Sequence, residues 1–418
     1  MLVLMLLGVP VVFAIGLAAV LGTVVIGASA PWIIIPSSMI NGMDSFPLLA
    51  IPFFILAGEL MNRGGIAERL IAFANSLVGH IRGGLGHATV VSNTMLAMDT
   101  GSALAQVAAI GRIMVPAMER RGYPRDYATA LTCAASLIGP IIPPSITMVI
   151  YAVAAGTSIG GLFLAGVVPG ILIATSLMAY VYLRARLRGE QAAHKFSLRE
   201  VLARGKDAVL ALLMPFIILG GIFAGVMTPT ESAAVAVLYA LLAGGLVFRK
   251  LKLKDLYESL LNTGIVTSFI MLIVGAARIF SDLLASEAVP QQLVASLVHL
   301  TSNPYLLLLL VNLLLLVVGA LMDTTAAIII LTPVLLPVVT TAGIDPMLFG
   351  VIMCINLVIG MATPPVGVAL YLASEIGRVK LDRLIVAIWP MLLVLIGVLL
   401  LITYVPALPL ALPRYFGY

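Results

Sequence analysis

Charge is scarce in this chain: Asp, Glu, Lys and Arg together make up 10% of its 418 residues. Soluble domains carry about a quarter, so a water-exposed surface of ordinary extent is excluded. A mean hydropathy of +1.18 identifies a polytopic membrane protein. Cysteine is nearly absent, and Cys133 and Cys354 both lie in apolar segments, which argues against a disulfide framework or a cysteine metal site. The four histidines are scattered, no glycine-rich phosphate loop follows a strand, and no Ser-His-Asp order stands out. An enzyme is therefore not expected. The alternating ten-residue segments of a transmembrane barrel are missing. No basic region precedes the first apolar run, so no cleavable signal peptide is expected. Only MLVLMLLG precedes Val9-Pro10, so the first crossing is either short or lacks its beginning. No soluble domain is present either: the longest polar stretch, residues 184–206, is one basic loop. The excess charge of +5 reports orientation in a lipid bilayer, and no nucleic-acid partner is expected.

What fills the chain instead is a succession of apolar runs of about 20 residues, the length that crosses a bilayer. Two of them are broken in matching ways. Residues 139–145 read GPIIPPS and residues 360–366 read GMATPPV. Proline removes a backbone donor and clashes with the preceding turn, so each doubled proline should stop a helix. A shift of 221 positions (139 to 360) also aligns Pro116 with Pro337, Gly122 with Gly343, Gly156 with Gly377 and Cys133 with Cys354. With a three-residue gap, MDTGSA at 98–103 matches MDTTAA at 322–327. The spacing predicts two copies of one unit, 1–183 and 207–418, joined by a cytoplasmic linker at 184–206.

In the second copy the apolar pattern predicts crossings near 207–226, 230–248, 264–284, 346–378 and 383–405. The remaining segment, 303–339, carries Met322-Asp323-Thr324-Thr325 at its centre. Arms of roughly 15 residues, about 22 Å each, are short for a full crossing, so this segment reads as a re-entrant helical hairpin. Five crossings is an odd number, and an odd number inverts the second copy relative to the first. The first copy gives a hairpin over 84–118 with its tip at Asp99 to Ser102, a broken helix over 124–156, and a helix over 165–187. With the linker inside, the basic residues at 63, 69, 82, 120, 121, 125, 249, 250, 252, 254, 378, 380 and 383 fall inside too. The loops at 29–44, 157–164, 227–229 and 340–345, predicted outside, hold no Lys or Arg, as the positive-inside rule requires. The expected fold is an all-α polytopic membrane protein of two inverted-topology repeats.

Irregular backbone at membrane depth is tolerated where protein or a watered cavity satisfies it, so the breaks mark a site. Helix ends offer carbonyls to a cation and N–H groups to an anion, and the tips add side-chain oxygens suited to a hard cation. One sodium ion is expected between Asp99, Thr100, Gly101 and Ser102 and the break bearing Gly139, Pro143, Pro144 and Ser145. A second is expected between Asp323, Thr324 and Thr325 and the break bearing Gly360, Thr363, Pro364 and Pro365. The competing reading is that the hydroxyls merely cap helices and the prolines merely kink. Asp99 and Asp323 could be misread as the catalytic pair of a membrane protease, but they occupy symmetric tips. Arg278 either pairs with Asp282 four residues on or lines the cavity and meets a substrate carboxylate. Glu59 and Asn62 read as a solvated helix end, Asn93 and Asn312 as hydrogen bonds between packed helices, and Glu231 as the acidic first turn of a helix behind a Thr-Pro turn. The stretches IAERLIAFANSLVGHI and LKDLYESLL read as amphipathic interfacial segments.

Three long stretches carry a family resemblance: RGYPRDYATALTCAASLIGPIIPPSITMVIYAVAAGTSIGGLFLAGVVPG, MTPTESAA, and MDTTAAIIILTPVLLPVVTTAGIDPMLFGVIMCINLVIGMATPPVG. Together they resemble the large membrane subunit of tripartite ATP-independent periplasmic (TRAP) transporters, over nearly the whole chain. The resemblance implies a bacterial or archaeal inner-membrane permease. It also implies a small four-helix membrane subunit and a periplasmic substrate-binding protein as partners. An organic-acid substrate such as a sialic acid or C4-dicarboxylate, sodium coupling and an elevator motion are implied as well. The coupling sites of the family map onto the tips and breaks named above. One departure stands out, because the family's first tip usually reads serine-glycine-serine, whereas this one reads Asp99-Thr100-Gly101-Ser102. A stand-alone sodium/carboxylate symporter of the same architecture is the alternative function, and a membrane enzyme is a distant third.

Overall fold

The structure, a computed structural model, describes residues 4, 7, 9–25, 34–190, 196–289, 291–292, 303–364 and 366–418. Among them there are helices and no strands. In chain order the principal helices are α1 (Val11–Val25), α2 (Ile34–Met43), α3 (Ala50–Arg63), α4 (Ile66–Val78), α5 (Gly84–Thr100) and α6 (Ala103–Arg120). They continue with α7 (Arg125–Ser136), α8 (Ile146–Ala155), α9 (Ile159–Leu187), α10 (Leu198–Phe223), α11 (Pro229–Leu241) and α12 (Leu253–Ser286). The last six are α13 (Pro304–Leu321), α14 (Thr324–Thr341), α15 (Pro346–Gly360), α16 (Val368–Gly377), α17 (Leu381–Tyr404) and α18 (Ala407–Tyr415). Among the described residues, 8 helical stretches are long and apolar enough to span a bilayer.

Local chemistry sets several of these boundaries. Asp323 and Asp345 cap α14 and α15, each accepting from two backbone N–H groups of the first turn. Helix α11 opens on a capping box: Thr228 accepts from the N–H of Glu231, and the Glu231 carboxylate accepts from the N–H of Thr228. Pro229 follows at the first helical position, where no partner for its missing N–H is needed. The acidic first turn expected at Glu231 is therefore present. Replacing Thr228 with alanine is expected to cost about 1 kcal/mol. That loss would appear as a lowered unfolding midpoint, with no change in sodium response.

Helix pairs occupy both segments expected as hairpins, and pairs of shorter helices occupy both crossings expected to be broken. Helices α5 and α6 flank the tip at Asp99 to Ser102, and α13 and α14 flank Met322 and Asp323. Helices α7 and α8 are separated by residues 137–145, and α15 and α16 by residues 361–367. The arms of the second hairpin have 18 residues each, or about 27 Å, longer than expected. Both arms are therefore long enough to cross a bilayer. The two copies interlock, since α8 packs against α14 and α16 against α6. At the centre, every residue of α15 from Leu348 to Gly360 is buried.

Two expectations need correction. The linker is shorter than residues 184–206, because α9 runs to Leu187 and α10 begins at Leu198. Residues 191–195 of that linker lie outside the described set, as does Pro365. LKDLYESLL is not a separate interfacial helix. It is continuous with the 34 residues of α12, because no glycine, proline or cap interrupts the helical run before Thr263.

Candidate coupling and substrate site

Each tip packs on the break of its own copy. Gly101 adopts φ +56°, and a Cβ there would sit 2.9 Å from the Pro144 carbonyl oxygen. In the second copy, the N–H of Gly367 donates to the Ala320 carbonyl at 3.2 Å. The backbones of Gly360 and Gly319 touch so closely that a Cβ on Gly360 would lie 2.5 Å from the Gly319 carbonyl carbon. Glycine at these positions is a requirement of close approach and not only of flexibility.

The capping reading of the hydroxyls holds in part. Ser102 accepts from the Ala105 N–H at 3.4 Å, and Ser145 accepts from the Met148 N–H at 3.2 Å. Ser145 also donates to the Pro140 carbonyl, as does Thr147 at 3.0 Å, and these bonds tie the two halves of the first break together. Pro143 and Pro144 are joined by a cis peptide bond. Thr100 donates to Leu96 O at 3.1 Å within its own helix, and Thr363 of the second break donates back to Ile359 O of α15 at 2.9 Å. Asp323 uses one carboxylate oxygen on the N–H groups of Thr325 and Ala326, at 2.9 and 3.4 Å. Two groups are left over. The Thr324 hydroxyl is buried without a partner, and so are both carboxylate oxygens of Asp99.

A cavity of about 200 Å³ joins the two copies, lined by Gly101, Ser102 and Pro140 from the first and by Asp323, Thr324 and Thr325 from the second. Val266, Phe269 and Ile270 of α12 close it from the side. The structure thus brings both tips to one space, together with part of the first break. Asp99 does not line it: its side chain lies in the last turn of α5, 3% exposed. The same helix turn presses on α3, where a Cβ on Gly58 would meet the Asp99 carbonyl at 2.9 Å. Among the described residues no three His, Cys, Asp or Glu side chains gather to hold a metal. The oxygen donors at the tips are the kind a hard alkali cation takes, whereas the soft and nitrogen ligands of a transition metal are missing from them.

Sequence reasoning overlooked Gln106, whose side chain is wholly buried on α6. A Cβ on Gly139 would lie 2.8 Å from its amide nitrogen, and that amide donates to the Thr100 hydroxyl at 3.3 Å. With the amide turned over, it bonds Ser136 O, Asn93 Oδ1 and the Ala97 N–H instead. Either way one side chain joins tip, arm and break. A lone amide in the apolar run ALAQVAAI was the available signal. Asn93 donates within its own helix, to Thr89 O at 2.9 Å, and with the Gln106 amide turned over it also accepts across from α6 at 3.1 Å, between helices as expected. Asn312 does bridge helices, donating to Thr403 at 3.1 Å and accepting from Asn356 at 2.6 Å.

Arg278 forms the expected pair on its own helix and does not line the cavity between the tips. Its guanidinium pairs with Asp282 at 3.2 Å, and it lines a separate cavity of about 330 Å³ with Asn41, Ser45, Ile150 and Ile329. Asn62 is exposed at its helix end as expected, whereas Glu59 belongs to a polar knot. Arg63 meets Glu59, Asp255 and Glu258 at 3.6, 3.7 and 2.6 Å, and Asn262 donates to Glu59 at 2.7 Å.

The sequence profile of the family described as "Tripartite ATP-independent periplasmic transporter, DctM component" matches residues 1–408. The chain is 41% identical over 374 residues to the C4-dicarboxylate TRAP transporter large permease protein DctM of Pseudomonas aeruginosa, covering 90% of this chain and 88% of that one. It is 42% identical over 381 residues to the sialic acid TRAP transporter large permease protein SiaM of Vibrio cholerae, covering 91% and 89%. With the 2,3-diketo-L-gulonate TRAP transporter large permease protein YiaN of Escherichia coli it shares 37% over 375 residues, covering 90% and 88%. Among solved structures, the YdaH transporter of Alcanivorax borkumensis superposes with a TM-score of 0.63 at 16% identity, covering 88% of this chain and 87% of that one. MtrF of Neisseria gonorrhoeae superposes with a TM-score of 0.58 at 13% identity, covering 90% and 84%. At such identities the likeness is one of fold.

Proposed function

Because the chain belongs to the DctM family of TRAP transporters, it is a multi-pass transporter permease and not an enzyme, and we propose that it imports an organic acid driven by a sodium gradient. The relatives named for C4-dicarboxylates, sialic acid and diketogulonate support a small organic acid as the substrate class. The observation that carries this reading is the cavity lined by both tips. One sodium ion binds beside each tip-and-break pair, and the substrate occupies the space between them. The two halves, 1–183 and 207–418, are inverted repeats that place these pairs around a pseudo-twofold axis near the bilayer midplane.

Transport on this reading is an elevator motion. The re-entrant hairpins α5–α6 and α13–α14 and the broken helices α7–α8 and α15–α16 move together against a scaffold that includes α3, α11 and α12. Interlocking of α8 with α14 and of α16 with α6 supports a single moving body. Arg278 lines the cavity between α12 on one side and α8 and α14 on the other, where it meets the substrate carboxylate on the outer side. A periplasmic binding protein delivers the acid, and a small membrane subunit braces the scaffold in the inner membrane.

The test needs neither partner nor substrate. The unfolding midpoint of the purified protein is titrated with sodium against potassium at fixed ionic strength, since a ligand of the folded state stabilises it by RT ln(1 + [L]/Kd). A saturable rise specific to sodium, lost on Asp323→Ala combined with Thr324→Ala, is expected. Equal curves in the two salts would remove sodium from the mechanism.

A further inference from the structure

Beside the cavity between the tips, two further cavities follow α3 toward an arginine that has no counter-charge among the described residues. A second cavity, about 160 Å³, shares Ile55, Ser102, Ile146 and Val266 with the first and extends to Glu59 and Asn62. A third, about 260 Å³, shares Asn62 with the second and is lined by Glu68, Ala108, Ala109 and Arg112. Along α6 the lining positions are 105, then 108 and 109, then 112 and 113, the spacing of one helix face. Three of the five are alanine, which leaves room beside Arg112.

Arg112 differs from the arginines around it. The guanidinium of Arg63 is held by three carboxylates and that of Arg278 by Asp282. Among the described residues, no carboxylate lies within ion-pair distance of Arg112, and Glu68 shares its cavity without reaching it. Arg112 is exposed, and a charge in the middle of a hairpin arm is costly unless water or a partner meets it. From Ser102 to Arg112 is ten residues of helix, about 15 Å, too far for a small dicarboxylate at the tips to touch both.

We propose that Arg112 is a second anion-binding station, on the inner leg of the route, which takes the carboxylate of an organic acid after it has left the tip cavity. The inference rests on the reading of this chain as an organic-acid permease. Guanidinium presents a planar fork of donors that matches a carboxylate, and Glu68 across the cavity limits how long an anion is held there. The inner station accordingly favours release.

The test reads the local field with a thiol reporter. Cys133 and Cys354 are wholly buried, so Ala109→Cys supplies the accessible thiol, in the full chain in lipid nanodiscs. Its modification by a sulfonate-bearing methanethiosulfonate is compared with modification by a trimethylammonium-bearing one. A nearby unpaired cation should favour the anionic reagent by roughly tenfold. Arg112→Gln in the same background should abolish that preference, and Arg112→Lys should keep it. Succinate should slow sulfonate labelling more than sodium chloride of equal ionic strength does. Three results would overturn the proposal: no labelling at Ala109→Cys, a reagent preference indifferent to Arg112→Gln, or no protection by succinate. None of these depends on the sodium titration, so a failure of this site and a failure of sodium coupling are told apart.

Discussion

Gly360→Ala is expected to be among the most damaging single-methyl additions in the protein. Its Cβ would sit 2.5 Å from the Gly319 carbonyl carbon, 2.6 Å from the Gly319 Cα and 2.9 Å from the Ala320 nitrogen. All three are backbone atoms and none can rotate aside, so α13 and α15 must separate. Overpacking of this kind costs roughly 1–3 kcal/mol. The separation also pulls the second tip from its break, stretching the bond from the Gly367 N–H to Ala320 O. The unfolding midpoint should therefore fall, and the sodium response assigned to Asp323 and Thr324 should weaken with it. Gly397→Ala is the control, because nothing lies within 4 Å of a Cβ there; it should cost nothing. Similar midpoints for the two variants would mean that α13 and α15 are less tightly apposed than described.

Asp99→Asn is expected to raise stability when sodium is absent. Both carboxylate oxygens are buried without a hydrogen-bond partner. An unsatisfied buried polar group costs roughly 1–3 kcal/mol, more when charged. Asparagine keeps the shape and drops the charge, so in potassium the variant should melt higher than the parent. In sodium the order should reverse, provided that Asp99 supplies charge to the first coupling ion. A gain of equal size in both salts would take Asp99 out of that ion's coordination. Its absence from the lining of the tip cavity makes this comparison the decisive one for the first site.

How much of this was legible beforehand depended on the kind of signal. Helix breaks were readable because proline and glycine act locally: the doubled prolines at 143–144 and the glycines at 139 and 360 sit where α7 and α15 give out. The Thr-Pro-x-Glu turn before α11 was readable for the same reason. What sequence could not supply was the partner of each polar group. Asp99 and Asp323 look alike in MDTGSA and MDTTAA, yet Asp323 caps a helix while Asp99 is the last but one residue of α5. A one-dimensional match cannot show that divergence, because it arises from where each tip's chain turns. Gln106 and Arg112 went unnoticed for a related reason. Each is a single polar residue on a helix face, and only the packing of α6 on α7 and on α4 gives it a meaning.

Helix α12 is 34 residues long, or about 51 Å, yet only its middle is fit for hydrocarbon. Polar groups bracket it: Glu258 and Asn262 join the knot around Arg63 at one end, and Arg278 pairs with Asp282 at the other. Residues 263–277 between them carry no charge and cover about 22 Å. A relaxed hydrocarbon core is about 30 Å thick, so if Asn262 stays out of hydrocarbon we expect the lipid on this flank to thin, or a neighbouring subunit to stand in for it. A thinned bilayer beside the wall that the tips face brings the two aqueous surfaces closer together. Bilayers of longer-chain lipids should then resist the transporter in proportion to the mismatch, making acyl-chain length a control on turnover that no residue of the site itself provides.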